Sequence, residues 1–224
     1  MYIKHDMAQT ILIATDAVIF TVQDNELKVL LIQMVKLPYQ GLWAVPGGLI
    51  EQDETTEQAA RRILETQTGV TDAHLEQLQT FDSVTRDQLG RVVSVAYVAL
   101  VPSDSVSLKT TEKYADIRWM PVSNLPSLAY DHDEIVTIAV ERLRAKIESS
   151  NIVWSLLPKE FALSQLQSVY EKILAKPLDK RNFRRKILDL NLVESTGRRS
   201  TGSAHRPAEL FAFKQRKTAS VKIL

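Results

Sequence analysis

The chain has 224 residues, enough for one large domain or a medium domain with a small one, and its 45% hydrophobic and 25% charged content is that of a folded globular protein, not a disordered one. It has no cysteine, which excludes disulfides and thiolate-held zinc, and its four scattered histidines argue against a histidine-rich metal site. The net charge of +1 conceals a division, because residues 151–224 carry 15 Lys/Arg against 6 Asp/Glu (net +9) and residues 1–150 carry 13 against 21 (net −8). Such a split points to two modules, 1–150 and 151–224, with different partners, the basic one facing a polyanion.

The opening stretch "MYIKHDMAQTILIATDAVIF" is apolar, but it is too short for a membrane span, lacks a small-residue cleavage site and is interrupted by Asp16. It reads as a buried strand of a cytoplasmic protein with no membrane contact. "TILIATDAVIFTV" and "LKVLLIQMV" are β-branched runs joined by the turn "QDNE", a predicted hairpin. "GLWAVPGG" ends a strand on Gly47 and Gly48, where backbone can approach a ligand closely. A helix is predicted over roughly 55–67, capped by Thr55 or Thr56, burying Ala59, Ala60, Ile63 and Leu64 and ending at Gly69. "VVSVAYVALV", after the loop "RDQLGR", is another buried strand, and "DIRWMPV" is a short one stopped by Pro121. Roughly 131–148 form a second helix with Ile135, Ile138 and Leu143 on one side. Several strands with two helices predict an α+β sandwich.

"SSNIVWSLLPKEF" breaks that pattern and sets a boundary near residue 150. "LSQLQSVYEKIL" is amphipathic through Leu163, Leu166, Val169, Tyr170, Ile173 and Leu174, and "AKPLD" is a turn. "KRNFRRKILDL" follows as a helix with Asp179 placed to cap it and Phe183, Ile187 and Leu190 at i, i+4, i+7. Five of the seven residues from Lys180 to Lys186 are basic, so Lys180, Arg181, Asn182, Arg184 and Arg185 share the outward arc. "LVESTGRRSTGSAHRPAELFAF" reads as two strands around a basic tip carrying Arg198, Arg199, His205 and Arg206. The final "KQRKTASVKIL" is open between an ordered strand, a DNA-contacting tail and a loose end.

A basic helix alone is often a solvated face, and a basic hairpin a solvated turn. Helix, turn, basic helix and basic hairpin in this order are what a winged helix-turn-helix requires. In the major groove arginine can donate two hydrogen bonds to guanine and asparagine can pair with adenine, while lysines contact phosphates. Double-stranded DNA is therefore the expected partner of residues 151–224.

The segment "GGLIEQDETTEQAARRILETQTGV" resembles the Nudix box: Gly48, Glu54, Arg62, Leu64, Gly69 and Val70 fall on that pattern, and the resemblance covers most of residues 10–148. Three glutamates of the pattern are replaced by Ile63, Thr66 and Gln67. Magnesium needs hard anionic oxygens, which isoleucine cannot supply and neutral threonine and glutamine supply poorly. Glu65 sits about 100° around the helix from the neighbouring positions, and Glu51, Glu54 and Glu57 remain. A degenerate box predicts no catalytic residues, no metal and no enzyme activity.

The resemblance implies a pocket for nucleoside diphosphates joined to another group. Phosphate would meet backbone at Gly47 and Gly48 and cations among Lys36, Arg62, Arg86 and Arg91. Arg62 could instead pair with Glu54 or Glu65, Arg91 could lie on a solvated hairpin, and Tyr39 and Trp43 are open between base stacking and core.

Together the halves resemble the NrtR family, the Nudix-related transcriptional regulators of NAD metabolism. The stretches that carry this are "YQGLWAVPGG", "RDQLGRVVSVAY", "LAYDHDEI" and above all "LPKEFALSQLQSVYEKILAKPLDKRNFRRKIL". The resemblance implies a Nudix-like α/β/α sandwich followed by a winged helix-turn-helix domain. It implies a homodimeric repressor of NAD-biosynthesis genes, bound to an operator and released by ADP-ribose as effector, with no cofactor. A Nudix hydrolase of ADP-ribose or a related nucleoside diphosphate, a sugar-responsive regulator of the same architecture and a general nucleic-acid binder are the alternatives.

Overall fold

The computed structural model describes residues 10–71, 73–108, 114–200 and 207–224. The first half is built on β1 (Leu12–Gln23), a strand buried on both faces: Ala17 and Ile19 point to one side and Val18 and Phe20 to the other. It turns into β2 (Glu26–Met34) through Asp24 and Asn25, both at positive φ (51° and 66°), the backbone twist that favours a tight hairpin. β3 (Trp43–Ala44) pairs with β2, and β4 (Gly47–Leu49) lies antiparallel to the start of β1 with Asp16 opposite Gly47.

Helix α1 (Thr56–Thr68) starts with a capping box, in which the Thr55 hydroxyl accepts from the Gln58 amide and the Gln58 side chain accepts from the Thr55 amide, and it ends at Gly69 with φ 73°. β5 (His74–Phe81) pairs with β6 (Val92–Leu100), which runs parallel to β1 along its length, and β7 (Tyr114–Pro121) closes the other side against β2. The sheet order is β3-β2-β1-β6-β5, with β4 and β7 paired off this path. Ile63 and Leu64 of α1 cover one face, and Ile135, Val136, Ala139, Leu143 and Ile147 of α2 (His132–Ser149) cover the other. The layers are those of the Nudix-like α/β/α sandwich. The buried stripe of α2 runs through Ala139, and Ile138, expected on it, is only half-buried.

Residues Ile152–Leu156 form a 3-10 turn that is buried throughout. Next come β8 (Phe161–Ala162), α3 (Leu163–Leu174), α4 (Lys180–Asp189), β9 (Val193–Arg199) and β10 (Glu209–Phe213), with the strands ordered β8-β10-β9. This is a winged helix. Leu166, Tyr170, Ile173, Phe183 and Ile187 form its centre, and they belong to the same apolar cluster as α2 and one face of the large sheet. The two halves therefore share a continuous core, at about 25 cal/mol of stabilisation per Å² of apolar surface removed from water. Among the described residues no helix is long and apolar enough to cross a membrane.

Candidate functional site

A cavity of about 310 Å³ opens between β1, β4 and the loop 86–90, with Gly47, Gly48, Arg86, Tyr114, Tyr130 and His132 in its wall. A larger cleft, about 800 Å³, lies between the β1–β2 hairpin, α2 and α3, and holds none of the cations expected to bind phosphate. The smaller cavity is the one that the glycine pair and the "RDQLGR" and "LAYDHDEI" stretches build together.

Its floor is a buried polar network. Arg86, 7% exposed, donates to both carboxylate oxygens of Asp131, from Nε at 2.9 Å and from a terminal nitrogen at 2.8 Å. The same nitrogen reaches Asp16 at 3.2 Å, and the Ser94 hydroxyl donates to that Asp16 oxygen at 2.6 Å. Burial alone would lower the pKa of Arg86, but the hydrogen bonds and charges of Asp131 and Asp16 carry it above the usual arginine range. His132 accepts the Val45 amide at Nδ1 (3.1 Å), which leaves Nε2 facing Asp16 at 3.6 Å. Full burial pushes the His132 pKa below the ordinary imidazole value, so its neutral form is favoured.

Gly47 is required by this floor: a Cβ there would stand 2.2 Å from Asp16 Oδ1. Above the floor, Tyr130, at φ 58°, stacks 4.0 Å from Tyr39 and 5.0 Å from His132. The Tyr39 hydroxyl accepts from the Gln88 amide and donates to Asp87. Burial, then the nearby Asp87 carboxylate, pushes the Tyr130 phenol up to about 12, so it remains a neutral donor.

Of the six expected effector contacts, Gly47, Gly48 and Arg86 come together here, whereas Lys36, Arg62 and Arg91 lie outside the cavity wall. Lys36 is exposed on the loop after β2. Arg62 pairs with Glu54 at 2.9 Å and with Glu51 at 3.6 Å; the Glu54 hydrogen bond raises its pKa and lowers that of Glu54. Arg91 donates to the carbonyls of Asp82 and Ser83, bracing its own loop. Tyr39 is core, its hydroxyl held by Gln88 and Asp87, and Trp43 lies half-buried under the Arg118 guanidinium, 5.8 Å from its ring centre.

Asp16, Asp131, His132, Tyr114 and Tyr130 were not identified as site residues from sequence. The available signal was Asp16 itself, a charge inside an otherwise apolar strand.

The residues of α1 do not fit the magnesium that the Nudix pattern implies. Ile63 is buried and has no ligand atom, Gln67 is buried and neutral, and Thr66 is exposed. Glu54 and Glu51 face Arg62, and Glu57 faces Arg61. Among the described residues no three acidic or histidine side chains stand close enough to hold a metal.

The second candidate surface is α4. Asp179 accepts the Asn182 amide at 2.8 Å and starts the helix; Phe183 and Ile187 turn inward. Lys180, Arg181, Asn182 and Arg185 are exposed. Asn182 Oδ1 accepts from Arg185 at 3.1 Å, which orients that guanidinium on the helix face. Arg184, expected on the same outward arc, is half-buried beside Phe183, with its Nε enclosed. On the wing, Arg199 is exposed and Arg198 is paired with Glu160, while His205 and Arg206 lie outside the described residues.

Comparison with known proteins meets both halves. Residues 153–213 match the NrtR DNA-binding winged helix domain and residues 13–138 the NUDIX domain. The chain is 34% identical over 206 residues to the ADPR responsive transcriptional repressor NtrR of Acinetobacter baylyi, covering 90% of this chain and 82% of that one. Its fold matches the crystal structure of Shewanella oneidensis NrtR complexed with a 27mer DNA, with a TM-score of 0.81 and 37% identity over 90% of this chain and 93% of that one. The NUDIX domain of the Shewanella protein complexed with ADP ribose matches with a TM-score of 0.55 and 37% identity, over 62% of this chain and 94% of that one.

Proposed function

Since the chain belongs to the NrtR family of Nudix-related transcriptional regulators, we propose that it is a repressor of NAD-biosynthesis genes whose hold on operator DNA is released by ADP-ribose. Residues 1–150 act as the sensor and residues 151–224 as the DNA-binding module. What carries this reading is the contrast between a Nudix pocket kept with its Gly47 floor and an α1 that has lost the carboxylates for hydrolysis. A pocket that binds without reacting suits an effector site.

ADP-ribose occupies the cavity over Gly47 and Gly48, with backbone facing its phosphates and Tyr130 and Asp87 beside its ribose or base. Arg86 serves by holding the floor, because its charge is already engaged by Asp16 and Asp131. Lys180, Arg181, Asn182 and Arg185 line the major-groove side of α4, and Arg198 and Arg199 belong to the wing. The protein works in the cytoplasm as a homodimer whose two α4 helices enter major grooves about 34–36 Å apart or a multiple of that. It needs no cofactor and does not hydrolyse its effector.

Calorimetric titration tests the pocket: ADP-ribose is expected to bind and free arabinose not to. An assay for AMP release with magnesium present is expected to stay at background. Magnesium-dependent turnover would make the chain a hydrolase, and binding of arabinose alone would place it among sugar-responsive regulators.

A further inference from the structure

Beyond β10 the chain does not leave the molecule. Residues 214–224, which follow the stretch matched to the winged helix family, run back across the buried 3-10 turn to the sensor half. The Lys214 amide donates to the Leu192 carbonyl, next to β9. The Arg216 guanidinium stacks over Trp154, 5.4 Å from its centre, and donates to the carbonyls of Leu157 and Pro158.

Asn151 then grips the segment. This residue is 4% exposed; its Oδ1 accepts the Ala219 amide at 2.7 Å, its Nδ2 donates to the Lys217 carbonyl at 3.2 Å, and its own amide donates to the Ala219 carbonyl. Thr218 meets His74 of β5 at 3.1 Å. The Val221 and Ile223 amides donate to the carbonyls of Ser149 and Glu148, both at 2.9 Å, and Ile223 is buried in the shared core.

The element that receives this segment is α2, and its other end forms the effector pocket. Asp131, at its N-terminus, is held by Arg86, and His132 by the Val45 amide. An 18-residue helix spans roughly 27 Å as a stiff rod. A direct contact also reaches α3, where Arg144 donates to the Ile173 carbonyl at 2.9 Å.

We propose that residues 214–224 are a coupling strap, buckled by Asn151, that carries a displacement of α2 at the effector pocket to the wing of the DNA-binding module. The inference rests on the effector-released repressor reading above. Pulling on α2 moves the backbone that Val221 and Ile223 are bonded to, and the strap continues without a break into β10. Loosening the buckle leaves pocket and recognition helix intact but separates their responses.

The test uses the full chain, ADP-ribose, and a DNA fragment carrying the promoter beside this protein's own gene. In the parent protein, saturating ADP-ribose is expected to weaken promoter binding by about 5- to 150-fold, the usual range for allosteric coupling. Asn151→Ala is expected to retain promoter and ADP-ribose affinities separately, while that ratio falls towards one. Asn151→Asp, which keeps the Ala219 bond but sets a carboxylate against the Lys217 carbonyl, is expected to lower the ratio as well. Hydrogen exchange of the Ala219, Val221 and Ile223 amides is expected to change in the parent protein when ADP-ribose is added, a readout independent of any variant. An unchanged ratio in both variants, or exchange indifferent to ADP-ribose in a parent protein that does respond, overturns the strap. A parent protein whose promoter binding ignores ADP-ribose overturns the functional reading beneath it.

Discussion

The arginines of the sensor half and those of α4 occupy opposite electrostatic situations. Arg86 faces two carboxylates, Arg62 faces Glu54 and Glu51, Arg61 faces Glu57, and Arg91 is bonded to loop carbonyls. On α4, by contrast, Lys180, Arg181 and Lys186 meet no carboxylate among the described residues, and Arg185 touches only a neutral amide. A paired arginine holds the structure that shapes a site; an outward one is available to a phosphate or a base edge. Counting basic residues cannot separate these uses, because partners such as Asp16 and Asp131 are 70 and 45 residues away from Arg86.

The sharpest way to break this contrast is Arg86→Ala. It leaves the buried Asp16 and the partly buried Asp131 without their shared counter-charge, and removal of one partner from a buried pair costs about 3–5 kcal/mol. Thermal unfolding is expected to drop by on the order of 10 °C, with ADP-ribose binding lost as the floor rearranges. A variant with unchanged melting would mean that the network is not structural.

Arg185→Ala is the counterpart on α4. It is expected to weaken promoter binding by about 1–3 kcal/mol and to leave melting and ADP-ribose affinity untouched. Loss of all three together would show that α4 is structural as well.

The pH response sharpens the comparison further. His132 and His74 have folded pKa values lowered by burial, so the unfolded chain, with imidazoles near 6.5, takes up protons first on acidification. Stability is therefore full above about pH 6.5 and falls as pH drops through and below that value. His132→Gln is expected to flatten the slope of melting temperature between pH 7.5 and 5.5 in part, His74 supplying the rest; a flat profile in the parent protein would contradict the buried neutral imidazoles. The smallest effect belongs to Arg61→Ala, whose exposed pair with Glu57 contributes about 0.3–0.5 kcal/mol; a larger loss in urea denaturation would mean that surface pairs matter here.

Much of the fold was legible because its signals are local. The turn residues Asp24 and Asn25, the Thr55 and Asp179 caps and the Gly69 stop each act within a few residues of their own position. Alternation and helical spacing also placed most buried residues. Ile138 and Arg184 slipped because they sit at the edges of helical faces, where a shift of some tens of degrees decides exposure and only the packed neighbours determine it. β5 went unpredicted because its apolar residues Leu75, Leu78 and Phe81 do not alternate, the strand being irregular between Gln77 and Gln79.

The site was less legible. The pairing of β1 with both β4 and β6 brings Asp16, Gly47 and Ser94 together, and Asp131 and His132 reach them from the start of α2. No spacing rule encodes that convergence. The order of elements in residues 151–224 was readable, whereas the return of residues 214–224 to α2 was left open, since short polar segments fit a strap and a loose end equally well.

The account stands or falls on one titration: fluorescence anisotropy of the promoter fragment beside this protein's gene, at fixed near-physiological salt, with and without saturating ADP-ribose. Discrete, sequence-dependent binding that ADP-ribose weakens by about 5- to 150-fold is the predicted result. Binding unchanged by ADP-ribose, or equal on unrelated DNA of the same length, would contradict it.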